Sequence, residues 1–295
     1  MVKRASKSVA RQGTRQGCQS LVGLWHRRRR VHGPYLPLND RAKQGLRPTP
    51  SSWYNRFAKG ASTIRIYAIG DLHLSFGVNK PMDIFGSAWT DHATKVKQAW
   101  LQTVQPEDAI MIAGDISWAM RYEEVRPDLA YLSELPGRKI LLRGNHDYWW
   151  ATRSKVANWA GETCEILQNN AIVLADKGIA VVGTRGWDLP SQGATVEDKT
   201  IYDREVQRLR LSLEAGRETG LPLWAMVHFP PLTTSLHPTP ISDLLEAYNV
   251  RVCVYGHLHG SAHKMRVEGS VRGVHYHLVS ADYLSFAPML VPDPA

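Results

Sequence analysis

Five apolar runs in this chain each end in residues that can hold a metal ion. Ile64–Ile69 ends in Gly70-Asp71-Leu72-His73, and Ala109–Ala113 ends in Gly114-Asp115. Lys139–Arg143 ends in Gly144-Asn145-His146-Asp147, Leu223–Val227 in His228, and Val250–Tyr255 in Gly256-His257-Leu258-His259. Gly144–Asp147 alone also reads as a surface turn, because Gly and Asn are ordinary turn residues. Four hydrogen-bonding residues at a strand end are, however, costly to bury unless something satisfies them. Four further segments of the same form favour a shared site. Together they offer Asp71, His73, Asp115, Asn145, His228, His257 and His259. This mixed nitrogen and oxygen set suits Mn²⁺, Fe or Zn²⁺ better than Mg²⁺ or Ca²⁺.

Such a site needs elements that bring distant residues together. The carboxyl ends of the strands in a parallel α/β sheet lie along one edge, where ligands bind. Helical spacing is expected between the strands. A helix from about Asp91 to Val104 would bury Ala93, Val96, Trp100, Leu101 and Val104 and leave His92 in solvent. Another near Glu197–Ala215 would bury Ile201, Val206, Leu209 and Leu213. The late alternating stretches His263–Val267 and Val274–Val279 read as antiparallel strands completing a second sheet. His275 and His277 share one face there and lack carboxylate company. This alternation predicts a two-sheet sandwich flanked by helices.

The ordered pattern D-x-H, GD, GNHD, H, GHxH resembles the calcineurin-like metallophosphoesterases, over about Ile64 to Ser285, with all five motifs intact. Gly114–Met120, Gly144–Trp150 and Gly183–Trp187 look like a bacterial branch of predicted phosphohydrolases. The resemblance implies a four-layer α/β/β/α fold of two mixed sheets and two divalent metal ions that activate a hydroxide. Asp71, His73, Asp115 and His259 would hold one ion, and Asp115, Asn145, His228 and His257 the other, with Asp115 as the bridge. His146 would stabilise the transition state and protonate the leaving oxygen, and Asp147 would orient the His146 imidazole by a hydrogen bond. The protein phosphatase branch carries GDxVDRG and GNHE. This chain has Gly114-Asp-Ile-Ser-Trp118 and GNHD instead, which favours a small-molecule or nucleotide phosphodiester or monoester as substrate.

Other residues frame this site. The long segment Leu74–Trp89 starts at it and is expected to face substrate. Trp118 and Met120 either wall the site or pack in the core. Arg185, beside Trp187, either reaches a substrate phosphate, where its fork of donors fits the oxygens, or pairs with a nearby acid.

The net charge of +9 on 295 residues is unevenly placed. Residues 1–62 hold fourteen Lys and Arg against one acid, Asp40, whereas the rest holds twenty-two basic and twenty-six acidic residues. A basic, Arg-rich segment without helical or strand period cannot offset its ordering entropy by burial. Residues 1–62 are therefore expected to be a disordered extension, or to follow from a start codon placed upstream of the domain at 63–295. The competing reading is an arm for nucleic acid or a membrane surface, and an arm that holds nucleic acid would make the enzyme a nuclease with steep salt dependence. A lost metal ligand would have favoured a scaffold without activity, and none is lost. No apolar run approaches the length of a membrane span. Three cysteines, Cys18, Cys164 and Cys253, form no C-x-x-C pair, which fits a reducing, cytoplasmic setting.

Overall fold

The computed structural model describes residues 64–294 except residue 192. The basic segment 1–62, with its expected disorder or nucleic-acid role, lies outside the described residues. Among the described residues, eleven strands form two mixed sheets. In the first, β1 (Ile66–Ile69), β2 (Ala109–Ile112), β3 (Arg138–Leu141) and β4 (Cys164–Ile166) run parallel. The second takes β5 (Ile172–Leu174), β6 (Ile179–Thr184), β7 (Leu223–Val227), β8 (Val252–Tyr255), β9 (Gly269–Val271) and β10 (Val274–Leu278), in the order β5-β6-β7-β8-β10-β9. Here β6, β7, β8 and β10 are parallel, and β5 and β9 close the edges antiparallel. The last strand, β11 (Met289–Leu290), returns to pair antiparallel with β1.

Strands covered on both faces explain the unbroken apolar runs. In β1, Ile66 and Ala68 face the space between the sheets, while Tyr67 and Ile69 face the helices. In β8, Val252 and Val254 point inward and Cys253 and Tyr255 outward. The helices α1 (His92–Thr103), α2 (Tyr122–Glu134) and α3 (Arg153–Ala160) cover the first sheet. The second is covered by α4 (Val196–Glu218) and α5 (Pro240–Ala247), each opened by a threonine capping box, Thr195 with Asp198 and Thr239 with Ser242. The layers are therefore α/β/β/α. None of the described helices is long and apolar enough to cross a membrane.

Four local expectations change. In α1, Leu101 is exposed and His92 is buried, because the helix face that meets the sheet runs through Val96 and Trp100 while His92 packs on Trp89 and Phe286. In α4, Ile201 and Val206 are only half-buried, and Tyr202 takes the core position. His263–Val267 is no strand, since Gly260–Met265 forms a 3-10 turn. β10 pairs antiparallel with β9 but parallel with β8.

Asp128 of α2 ties the Leu74–Trp89 segment to the site-bearing end of β2. It is fully buried and accepts from Phe76 N at 2.8 Å and from the Ser117 hydroxyl. Burial is the main influence and pushes its carboxyl from 3.8 up to about 6, against the lowering effect of those two bonds. A carboxyl raised on folding contributes stability that is fully present below its unfolded pKa and is lost as pH rises through the folded value. Asp128→Asn should therefore flatten the fall in stability with rising pH by up to about 2–3 kcal/mol. Urea unfolding at about pH 4.5 and about pH 7.5 measures this, and equal slopes in both proteins would refute it.

Candidate metal centre

The chain reverses sharply after three of the site-bearing strands, β1, β2 and β8. Asp71, His73, Asp115 and His257 all take left-handed φ, between 46° and 74°. Such strain in residues other than glycine persists where surrounding contacts hold it, typically at functional sites. The contacts here are backbone hydrogen bonds that stitch one turn to the next. Asp71 N donates to Gly114 O at 2.8 Å, His73 N to Asp115 O at 3.0 Å, and Gly256 N to His228 O at 3.1 Å. Two glycines admit this closeness. A Cβ on Gly144 would lie 2.1 Å from Asp115 Oδ1, and one on Gly256 would lie 2.3 Å from Asp71 Oδ2. Each glycine makes room for a neighbouring carboxylate, so G is required before N and H in these motifs.

All seven expected ligands converge. The ligand atoms of Asp71, His73 and His259 lie within 4.8 Å of one another, as do those of Asp71, Asp115 and His228. Asn145 Oδ1 is 2.6 Å from His228 Nε2 and 3.1 Å from His257 Nδ1. Asp115 spans both groups, with Oδ1 3.6 Å from His228 Nε2 and Oδ2 3.8 Å from His73 Nε2. Asp71 spans them too, at 3.4 Å from His259 Nε2 and 4.0 Å from His228 Nδ1.

The donor set fits cations. His228 Nδ1 faces Ala113 O at 2.9 Å, so it carries the proton and leaves Nε2 as a lone pair. That lone pair faces the Asn145 amide oxygen, another acceptor. His259 Nδ1 donates to Asp282 Oδ1 at 2.9 Å, which turns its Nε2 toward His73 Nε2 at 3.3 Å. Acceptors that face acceptors in a buried site are what a metal ion satisfies.

Electrostatics point the same way. Burial, followed by the charge of Asp71, pushes the Asp115 carboxyl up to about 8. Burial also works to raise Asp71, but the bond from His259 and the charges of His259, His228 and His73 outweigh it and hold Asp71 low. Burial drives His73 and His228 down, and drives His257 down to about 3, keeping them as neutral ligands. His259 is the exception: burial opposes its charge, yet the bonds to Asp282 and Asp71 raise it to about 10. Two buried carboxylates close together are ordinarily neutralised by a divalent cation.

Two aromatic side chains wall the site. Trp118 stacks on His73 at 4.9 Å and lies 4.3 Å from the His146 ring, while Trp89 meets His73 and His259 edge-on. Met120 is exposed and does not join Trp118 in this wall. His146 is partly exposed, and its Nε2 lies 4.0 Å from Asp115 Oδ2. The His146 imidazole is not oriented by Asp147, because its Nδ1 has no hydrogen-bond partner. Asp147 is spent on four other donors, namely Gly144 N, Ile116 N, Ser117 N and the Trp149 indole. Arg185 meets Glu205 at 3.2 Å and lies 4.7 Å from the Trp187 ring centre, so the nearby-acid pairing is made. His237 sits in an exposed loop, and His277 does not lack carboxylate company, since it faces Glu268 at 3.5 Å. Asp282 went unread in the sequence, because it follows β10 without a motif of its own. Its only signal is a lone acid after a buried strand.

Comparison with known proteins gives a family and a shared fold. Residues 64–261 match the calcineurin-like phosphoesterase family. The phosphopantetheinyl hydrolase PptH of Mycobacterium tuberculosis shares the fold, with a TM-score of 0.52 at 20% identity over 79% of this chain and 97% of that one. A protein of unknown function from Aquifex aeolicus aligns with a TM-score of 0.43 at 16% identity, over 77% of this chain and 95% of that one. The Gene 66 protein of Mycobacterium phage L5 is 35% identical over 79 residues, which is 26% of this chain and 37% of that protein. The chain thus spans little more than a third of that curated relative. With the family match covering residues 64–261 and the expected ligand side chains gathered at the strand ends, this protein belongs to the calcineurin-like phosphoesterases, hydrolases that typically depend on divalent metal.

Proposed function

We propose that this phosphoesterase hydrolyses a small-molecule or nucleotide phosphoester at a dinuclear metal site. The facing of two acceptors, Asn145 Oδ1 and His228 Nε2, beside the buried Asp71 and Asp115 carboxylates carries this reading. Asp71, His73, Asp115 and His259 would hold one ion, and Asp115, Asn145, His228 and His257 the other, with Mn²⁺, Fe or Zn²⁺ favoured by the donors. Two such ions, when bound, neutralise phosphoryl oxygens and lower the pKa of water.

The chain's own groups do the rest. Trp89 and Trp118 restrict water around the imidazoles. His146 keeps its Nδ1 free of protein partners, and its side chain is partly exposed beside Asp115. Burial, then the charge of His228, lowers its pKa, which makes its protonated form a stronger acid toward a leaving oxygen. His146→Ala is expected to lower turnover by about 100-fold while metal binding persists. Turnover within a few-fold of wild type would remove His146 from this role. Arg185, already paired with Glu205, and Trp187 are the proposed substrate contacts, with the segment Leu74–Trp89 as a further wall. Cys164 and Cys253 are free and buried, which fits a cytoplasmic enzyme.

The direct test is hydrolysis of bis-p-nitrophenyl phosphate against p-nitrophenyl phosphate with Mn²⁺ supplied. Diester preference would make the enzyme a phosphodiesterase, and monoester preference a phosphatase. No hydrolysis and no bound metal would sink the reading.

A further inference from the structure

A cavity of about 70 Å³ lies between the carboxyl ends of β3 and β6, lined by Arg143, Arg185, Arg208, Glu205, Gln168 and Asn169 among others. It has room for several waters, given that a single water needs about 10–15 Å³ by the same measure. Three arginines and one carboxylate line it, and two of the three arginines meet that carboxylate. Glu205 is buried and already binds Arg185 at 3.2 Å, Arg208 at 2.5 Å and the Thr184 hydroxyl at 2.5 Å. Arg143 makes no ion pair or side-chain hydrogen bond among the described residues. Its Nε and the Nε of Arg185 are both buried without a partner. The Gln168 amide oxygen accepts from the Trp150 indole at 3.0 Å, which leaves its NH₂ group free to donate. Buried donors without partners are costly, and arginine forks match the oxygens of a phosphoryl group.

The cavity adjoins the metal centre by covalent and hydrogen-bonded links. Arg143 stands two residues before Asn145. The Arg185 carbonyl accepts from His228 N at 3.0 Å and from Phe229 N at 2.9 Å. Any group held in the cavity is therefore fixed relative to two of the expected metal ligands.

We infer that this arginine-lined cavity binds a second phosphoryl group of the substrate, distinct from the one being hydrolysed. The substrate class is then a phosphoester that carries an additional phosphate. The inference rests on the small phosphoester substrate proposed above. It assigns Arg143 and Arg208 to specificity, with Glu205 setting the directions of Arg185 and Arg208.

A matched pair of substrates tests it on the metal-loaded full chain. One is the p-nitrophenyl ester of thymidine 5′-phosphate, and the other is the same ester with a 3′-phosphate. The 3′-phosphorylated member should have the lower KM, and Arg143→Gln or Arg208→Gln should shrink that preference by about tenfold each. Arg208 is partly exposed at the surface of α4, so its variant guards against a folding failure at Arg143. Equal KM values for the two esters, or a preference unchanged by both variants, would overturn the cavity assignment and leave the hydrolase reading intact. Hydrolysis of neither ester would count against the small phosphoester substrate instead. In that event calorimetry with thymidine 3′,5′-bisphosphate against thymidine 5′-phosphate decides the cavity. Tighter binding of the bisphosphate that Arg143→Gln abolishes supports it, and equal binding overturns it.

Discussion

Asp115→Asn should bring phosphoester hydrolysis to background and abolish tight metal binding without unfolding the protein. The substitution keeps size and shape. One oxygen remains to accept the His146 N–H, which now reaches Asp115 Oδ1 at 2.8 Å. What is lost is the negative charge between His73 and His228, which stand 3.8 Å and 3.6 Å from the two carboxylate oxygens. An amide NH₂ put in place of either oxygen would aim a donor at a would-be metal ligand. Residues that only orient a ligand contribute about 10–100-fold to metal affinity or activity, so loss of a direct ligand should cost at least about 100-fold. Stability should move the other way. Burial and the charge of Asp71 make the ionised form of Asp115 unfavourable in the folded chain. A neutral isostere relieves that repulsion, so the metal-free variant should melt no lower than the metal-free wild type at neutral pH. Calorimetric metal titration and thermal unfolding, run side by side, separate the two effects. Turnover within about tenfold of wild type would remove Asp115 from the ligand set.

The residue types at the strand ends point to the candidate site because metal binding constrains chemistry more than packing does. Each of Asp71, Asp115, Asn145, His228 and His257 follows an apolar run, and a sheet buried on both faces makes such runs continuous. The same rule fails for helices and edges. Leu101 looked like core because it is apolar, and His92 like surface because it is polar. Their exposure depends on where α1 crosses the sheet, and that depends on Trp89 and Phe286, far apart in sequence. His263–Val267 alternates like a strand, yet the chain must turn after His259 to bring Asp282 under that imidazole, and a 3-10 turn does so. Asp282 and the Arg143–Arg208 cavity left no local pattern, since Asp282 depends on its contact with the end of the neighbouring strand β8 and the cavity on contacts between two sheets and α4. Trp118 was legible as a wall residue only as one of two alternatives. Its stacking on His73 follows from the left-handed turns at Asp71, His73 and Asp115, which local sequence does not specify.

Asp147 shows where motif and geometry part, and Asp147→Ala is expected to destabilise the fold by at least about 3 kcal/mol, since breaking such a buried charge-centred network falls in that range. Its two oxygens accept from four buried donors, at 2.8 Å from Gly144 N, 2.9 Å from Ile116 N, 3.1 Å from Ser117 N and 3.0 Å from the Trp149 indole. These bonds clamp the turn after β3 to the turn after β2, so they hold Asn145 against Asp115. Truncation leaves four donors to find water in a fully buried place. Asp147→Asn should cost less, about 1–3 kcal/mol, because rotation can set its NH₂ against Gly144 N alone and keep an oxygen for the other three. Urea midpoints with unchanged m-values measure both losses. The residual activity then tells structure from chemistry. If Asp147 tuned the His146 imidazole, Asp147→Asn would shift the pH profile of kcat while leaving stability nearly unchanged. The four bonds require the reverse: a large fall in stability and metal affinity, with the pH profile of whatever enzyme remains folded held in place. A shifted profile in a protein of undiminished stability would return Asp147 to the catalytic role that the GNHD motif suggests.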